Sequence, residues 1–157
     1  MTTVIFACVH NAGRSQMAAA FFNQLANHGK ACALSAGTEP AARVHPEVVA
    51  VMQEMGIDLS SSPTTRLTPD IAAQARMLIT MGCGDQCPVV PGVTRDDWPL
   101  DDPKGRPVEA VRSIRDDIRQ RVESLLDREG WRQDFADRRE VGPPPRASGV
   151  PDETPPA

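Results

Sequence analysis

The sequence contains few aromatic residues, no excess of positive charge and no long apolar run. Tyrosine is absent among its 157 residues, and aromatic residues make up only 4% of the chain. With 17 Lys and Arg against 21 Asp and Glu, the net charge is −4, so a basic surface for nucleic-acid phosphates is not expected. No segment approaches the roughly 20 apolar residues that span a bilayer. We therefore expect neither a nucleic-acid partner nor a membrane partner.

Cysteine is also scarce, with four residues in the chain. The segment before Cys8 lacks the basic start and the apolar stretch of a secretory signal. We therefore expect a cytoplasmic protein, in which thiols stay reduced. In that compartment, cysteines are more often catalytic or metal-binding than structural cross-links.

Short apolar runs alternate with helical patterns along the chain. Strands are predicted at residues 3–7, 31–35 and 76–81, with a fourth, edge strand at 94–100. Helices are predicted to follow Ser15 and to begin near Pro46, Pro69 and Pro107. This alternation favours parallel strands joined by right-handed crossovers. The sequence therefore predicts an α/β fold, a three-layer sandwich around a four-stranded parallel sheet.

The composition changes near residue 142. Six of the last fifteen residues are proline, and few are apolar. We accordingly divide the chain into one domain at residues 1–130 and a C-terminal segment at 131–157. That segment is predicted to extend the last helix and to end in a disordered Pro-rich tail.

The most informative segment is Cys8-x5-Arg14-Ser15, between the first strand and the first helix. A strand-to-helix loop directs several backbone N–H groups at one point, and the positive end of the helix adds to them. Arg14 can bind two oxygens of a tetrahedral anion in such a loop. A cysteine there is favoured as a nucleophilic thiolate, with the Ser15 hydroxyl as donor, rather than as a small buried hydrophobe. The predicted oxyanion-binding residues are Val9, His10, Asn11, Ala12, Gly13, Arg14 and Ser15.

The other polar residues and the remaining isolated cysteine are assigned smaller roles. Asn11 is predicted to brace the loop by hydrogen bonds to backbone, and His10 to contribute its N–H rather than act as a base. His28 and His45 belong to no recognisable group of catalytic or metal-binding residues, so we expect both at the surface. Cys32 is expected to face inward from the second strand as a small hydrophobe.

Residues 8–18 resemble the nucleophile loop of the low-molecular-weight protein tyrosine phosphatases, and more closely that of the arsenate reductases sharing their fold. Further matches are the Ser-Ala-Gly-Thr run at 35–38, Met-Gly-Ile-Asp-Leu at 55–59 and Asp-Asp-Pro at 101–103. Together the matches extend from about residue 3 to residue 128. The phosphatases commonly have proline after the loop serine, whereas this chain has Gln16, as many of the reductases do.

The resemblance implies that Asp102, which precedes Pro103, is the general acid. In the family, the aspartate of an Asp-Pro pair reaches over the anion site and protonates the departing oxygen. Without the resemblance, the same residues would be interpreted as a turn. Asp101 is the alternative if the alignment shifts by one residue.

Cys83 and Cys87 distinguish a reductase from a phosphatase. A phosphatase needs one thiolate, whereas arsenate reduction consumes two electrons, which two thiols supply by forming a disulfide. The resemblance implies that Cys83 attacks the sulfur of a Cys8–arsenate adduct, that Cys87 then takes over the disulfide, and that thioredoxin reduces it. Relatives place more residues between the two loop cysteines than this chain does, so the order of attack stays open. The alternatives are half of a zinc site or a pair of inert core thiols.

The predicted function is therefore reduction of arsenate to arsenite in arsenic detoxification, without a cofactor. The expected partners are arsenate, with phosphate and sulfate as competing anions, and thioredoxin, and we expect a monomer. No metal site is predicted, because Ala19 occupies the position at which some relatives use an acidic residue to bind potassium. The alternatives are a tyrosine phosphatase of this family, a reductase using mycothiol or glutathione, and a non-enzymatic oxyanion sensor. The loop cysteines, Gln16 and the absence of tyrosine argue against the phosphatase.

Overall fold

The computed structural model describes residues 1–82 and 90–133, which form a parallel sheet flanked by helices. The strands are β1 (Thr2–Cys8), β2 (Ala31–Gly37), β3 (Met77–Thr80) and β4 (Thr94–Asp97). Their order is β2-β1-β3-β4, and each neighbouring pair is parallel. The predicted four-stranded parallel sheet is confirmed. The fourth strand ends earlier than predicted and lies exposed at the sheet edge.

Helices cover both faces of the sheet unequally. They are α1 (Arg14–Leu25), α2 (Pro46–Gln53), α3 (Pro69–Ala72) and α4 (Val108–Glu129). In β1, Val4 and Phe6 pack into the larger core with residues of α1, α2 and α4, whereas Ile5 packs with residues of α3 on the opposite face. Burial on both faces is typical of a parallel sheet, and it confirms the predicted three-layer arrangement. In the described residues, no helix combines the length and apolar character needed to cross a membrane.

The sheet topology determines where the candidate site lies. Because the strands are parallel, the segments that follow β1, β3 and β4 emerge at the same edge of the sheet. Trp98, just after β4, donates its backbone N–H to the Thr80 carbonyl at 2.8 Å. Its ring packs 5.5 Å from that of Phe6 in the core. The segment at 98–106 is thus anchored beside the loop that follows β1.

The last helix ends at Glu129 rather than continuing as predicted. Gly130 adopts a φ of 71°, the left-handed conformation that commonly ends helices. Trp131 then packs 6.2 Å from Phe22, and Gln133 bonds back to α1. Residues 131–133 therefore belong to the domain that was predicted to end at residue 130, and they do not extend α4. The rest of the predicted extension and the Pro-rich tail, residues 134–157, lie outside the described residues.

Candidate active site

The loop after β1 turns its carbonyl groups outward, where other segments bind them. Five of these carbonyls accept a backbone N–H. The donor and acceptor pairs are Thr38 N–H with the Cys8 carbonyl (3.2 Å), Glu39 N–H with Val9 (2.7 Å), Ala41 N–H with His10 (2.9 Å), His45 N–H with Ala12 (2.9 Å) and Met17 N–H with Gly13 (3.0 Å). The Asn11 carbonyl accepts from the Gln16 side chain at 3.0 Å. Each carbonyl from Cys8 to Gly13 is therefore paired away from the centre of the loop.

The N–H groups of the same loop remain available at its centre. Within residues 1–82 and 90–133, no protein acceptor binds the backbone N–H groups of residues 9–15. Asn11 has a φ of 49°, a left-handed conformation that asparagine tolerates and that helps the loop to curl. These N–H groups, together with the N-terminus of α1, concentrate partial positive charge at one point. This geometry suits a tetrahedral oxyanion.

A buried chain of hydrogen bonds reaches the Cys8 sulfur. Thr65 donates its backbone N–H to Asn11 Oδ1 at 2.9 Å, which fixes the orientation of the amide. Asn11 Nδ2 therefore donates to Ser15 Oγ at 2.8 Å. The Ser15 hydroxyl hydrogen is left to donate to Cys8 Sγ, 2.9 Å away. Asn11, Ser15 and Cys8 are at most 2% exposed, so these hydrogen bonds are shielded from water.

Gln16 attaches the loop to the segment between α2 and α3. Its Nε2 lies 2.9 Å from the Pro63 carbonyl, 3.0 Å from the Asn11 carbonyl and 3.3 Å from Asn11 Oδ1. The side chain is buried in the first turn of α1. No structural role is predicted for Gln16 in the sequence analysis. The indication of one is local, because a glutamine among the small and apolar residues of a buried helix face needs hydrogen-bond partners.

Arg14 joins the loop to two other segments. Its side chain is 6% exposed, and Nη1 donates to the Leu100 carbonyl at 3.1 Å. Gly82 has a φ of 92°, which favours glycine, and a Cβ atom there would displace the same Nη1. Within the described residues, no carboxylate forms an ion pair with Arg14. Its positive charge is therefore available to an anion in the loop.

The segment carrying the predicted acid packs on the loop through proline. Pro103 is buried, and a Cβ at Gly13 would lie 2.8 Å from Pro103 Cγ, so glycine permits this close approach. Asp102 is half-buried, and its Oδ1 accepts the Lys104 N–H at 3.0 Å. The Asp101 side chain is 75% exposed. The structure thus brings the residue adjacent to Asp102 into contact with the nucleophile loop and leaves Asp101 largely in solvent.

The other cysteines are placed differently from one another. Cys83 and Cys87 lie outside the described residues. Cys32 is half-buried, with its sulfur 3.8 Å from Thr3 Oγ1, so the expectation of an inward-facing side chain is wrong. The reason is that β2 forms an edge of the sheet, and its alternate residues are only partly covered. In the described parts of the chain, no three His, Cys, Asp or Glu residues are grouped to hold a metal ion.

The histidines include one neighbour of the site that the sequence did not reveal. The sequence predicts His45 to be a surface residue outside any group of functional side chains. In the structure it directly precedes α2 and is half-buried, with its ring 6.5 Å from that of His10. Burial lowers the pKa of His45 below its usual 6.5, although nearby Glu47 and Asp102 partly offset this effect. The ring is therefore mainly neutral at pH 7. His28 is exposed, as predicted.

Comparison with known proteins places the chain in a family. Residues 3–134 match the family described as low molecular weight phosphotyrosine protein phosphatase. The chain belongs to this family, which confirms the resemblance seen in the nucleophile loop. The fold and the strand-to-helix anion loop are thus those of a phosphatase-like protein.

Its relatives carry a different activity in their names. A Halobacterium salinarum protein provisionally named arsenate reductase is 44% identical over 126 residues, covering 78% of this chain and 89% of the relative. The glutaredoxin arsenate reductase of Synechocystis is 37% identical over 129 residues, covering 80% and 97%. The structure of a thioredoxin-dependent arsenate reductase from Corynebacterium glutamicum matches with a TM-score of 0.70 and 36% identity. That match covers 82% of this chain and 61% of the Corynebacterium chain.

Proposed function

We propose that this protein reduces arsenate to arsenite, with Cys8 as its nucleophile. The observation that carries the proposal is the buried hydrogen-bond chain from Asn11 through Ser15 to Cys8. It ends among backbone N–H groups that no acceptor in residues 1–82 and 90–133 binds. That arrangement favours a thiolate beside a site for a tetrahedral oxyanion. The names of the relatives support arsenate as that oxyanion.

In the first step, the Cys8 thiolate attacks arsenic. A sulfur–arsenic bond forms and an arsenic–oxygen bond breaks, and the departing oxygen leaves as water after Asp102 supplies a proton. The loop N–H groups and Arg14 bind the remaining oxygens and stabilise the charge that they carry. Arsenic stays at the +5 level in this adduct, so no electron has yet been transferred.

In the second step, a thiol of the cysteine pair attacks the sulfur of Cys8. A disulfide forms, and the electron pair of the sulfur–arsenic bond stays on arsenic, which leaves as arsenite at the +3 level. In the order that the resemblance implies, Cys83 attacks first, and Cys87 then displaces Cys8 to give a Cys83–Cys87 disulfide. The contact between Gly82 and Arg14 supports this step, because the segment carrying the pair begins beside the site.

Thioredoxin is the proposed electron donor. A dithiol protein reduces an internal disulfide well, because its second cysteine resolves the mixed disulfide. The similar Corynebacterium structure is of a thioredoxin-dependent enzyme, which supports this donor, whereas the name of the Synechocystis relative includes glutaredoxin. A donor assay with thioredoxin, glutaredoxin with glutathione, and mycothiol with mycoredoxin separates these possibilities.

A phosphatase activity is the second candidate. The family match and the same anion loop favour it, since phosphate and arsenate share shape and charge. Hydrolysis of a phosphate ester would use Cys8, Arg14 and Asp102 and would not need the cysteine pair. The two functions therefore respond differently to loss of Cys83 or Cys87.

The test is a reaction of the reduced protein with arsenate in the absence of any donor. We expect a single equivalent of arsenite and, by peptide mapping, a Cys83–Cys87 disulfide. Cys8→Ser should give neither product. Cys32→Ser is the matched control, because Cys32 lies on the edge strand, and this variant should react like the wild type.

Thioredoxin-coupled turnover completes the test. Cys83→Ser and Cys87→Ser should each stop this turnover while leaving aryl phosphate hydrolysis largely intact. Full thioredoxin-coupled turnover in either variant would contradict the relay. If arsenite never forms but aryl phosphates are hydrolysed, the protein is a phosphatase and the reductase proposal is wrong.

A further inference from the structure

Glu47, in the first turn of α2, reaches the segment that carries Asp102. Its Oε1 accepts the backbone N–H of Gly105 at 2.9 Å, although the two residues are 58 positions apart. Val48, the next residue of α2, packs on the nucleophile loop, since a Cβ at Gly13 would be 3.6 Å from Val48 Cγ2. The start of α2, the nucleophile loop and the acid segment therefore meet in one place.

Among the residues that the structure describes, the hydrogen bonds of Asp102 itself are local. Its Oδ1 accepts from the Lys104 N–H, and its carbonyl accepts from Arg106 Nε, both at 3.0 Å. These bonds shape the turn but do not attach it to the rest of the protein. Gly105, with a φ of 71°, lies inside the same turn, so the bond from Glu47 attaches the turn from outside.

The charge on Glu47 strengthens this attachment. Burial acts to raise the pKa of Glu47, but hydrogen bonds from the backbone N–H groups of Gly105 and of Glu47 itself, together with His45, hold it below the ordinary value of 4.5. The carboxylate is therefore ionised at neutral pH. A hydrogen bond to an ionised acceptor is stronger than one between neutral groups.

We propose that Glu47 is a positioning residue for the general acid. Its carboxylate holds Gly105, and through the hydrogen-bonded turn at 102–106 it keeps Asp102 beside the nucleophile loop. Glu47 does not touch the reacting atoms. The inference rests on the proposed role of Asp102 and adds to it an element, α2, that places the acid.

The first test compares two substitutions of Glu47 with a control at Glu54, the residue that caps the C-terminal end of the same helix. Glu47→Ala removes the acceptor. Because this bond is exposed to solvent, we expect arsenite formation in a single turnover to slow by only about fivefold, the worth of an ordinary hydrogen bond. Glu47→Gln keeps a side-chain oxygen for Gly105 and should restore most of the rate. Glu54→Ala breaks ion pairs between α2 and α4, and it should lower the melting temperature without changing the rate.

The second test asks whether Glu47 acts through Asp102. In an Asp102→Asn background, Glu47→Ala should cause no further loss. With a series of aryl phosphates, the loss in Glu47→Ala should grow as the leaving group becomes more basic, because such groups depend more on the acid. A merely structural residue would slow every substrate equally and would act in both backgrounds.

The outcomes separate this inference from the proposed function. A wild-type rate in Glu47→Ala, or an equal loss with and without Asp102, would overturn the positioning role. If wild-type protein produces no arsenite, the reductase proposal fails. The aryl phosphate series would then still decide the role of Glu47.

Discussion

Removal of the Ser15 hydroxyl is the most direct perturbation of the nucleophile. Ser15→Ala deletes the donor that lies 2.9 Å from Cys8 Sγ and the acceptor that lies 2.8 Å from Asn11 Nδ2. Alanine is a good helix former, so the start of α1 is retained. All three side chains are buried, and bulk water is therefore poorly placed to replace the lost bonds.

The size of the effect follows from the worth of a hydrogen bond to a charged atom. Such a bond contributes about 1.5–3 kcal/mol. Since 1.36 kcal/mol corresponds to a factor of ten, reactions of the thiolate at neutral pH should slow by roughly 10- to 150-fold. The Asn11 amide left without its acceptor should also lower the free energy of unfolding by about 1–3 kcal/mol.

The assay is the rate of iodoacetamide labelling of Cys8, followed by mass spectrometry of its peptide. In the wild type, phosphate, sulfate or arsenate should slow the labelling by occupying the loop. Thr80→Val is a matched control, because it removes another buried hydroxyl, which donates to Asp97 Oδ1 at 2.7 Å rather than to Cys8. That variant should be less stable but label normally. Labelling of Ser15→Ala at the wild-type rate would refute the reasoning.

Three further perturbations test other parts of the account. Asp102→Asn should slow both arsenate reduction and aryl phosphate hydrolysis by about 10²-fold, the lower end of the range for a general acid, and an unchanged rate would exclude this residue as the acid. Gly82→Ala should raise the KM for arsenate, because its Cβ would displace the Arg14 guanidinium, and an unchanged KM would argue against that contact. Hydrogen bonds from Arg112 lower the pKa of Glu54 below 4.5, so its contribution to stability is present above that pH and is lost as the pH falls through the lower, folded-state value. Urea unfolding of Glu54→Gln should therefore depend less on pH in this acidic range than that of the wild type, and identical pH profiles would contradict the assignment.

Local patterns in the sequence predicted much of the fold. The apolar run before Cys8 indicates a strand buried on both faces, and the spacing to Arg14 indicates a strand-to-helix anion loop. Both depend on residues close together in the chain, where periodicity and loop chemistry are informative. The parallel sheet then follows from the alternation of strands and helices, and the structure confirms it.

The contacts that complete the site join residues far apart in sequence. Thr65 orients Asn11 from 54 positions away, and Glu47 bonds Gly105 from 58 positions away. No periodic pattern links such pairs, so the sequence assigned no role to Glu47 or to His45. The predicted extension of the last helix is wrong for a local reason. Gly130 is a helix-stop signal, and α4 ends just before it.

The central claim is that Cys8 starts a two-electron reduction of arsenate. The most direct measurement is arsenate-dependent NADPH oxidation with thioredoxin and thioredoxin reductase, set beside hydrolysis of an aryl phosphate by the same preparation. We predict that NADPH is consumed in proportion to the arsenite formed and that Cys8→Ser abolishes both. Hydrolysis of the aryl phosphate without arsenite formation with any donor would contradict the claim and leave a phosphatase in its place.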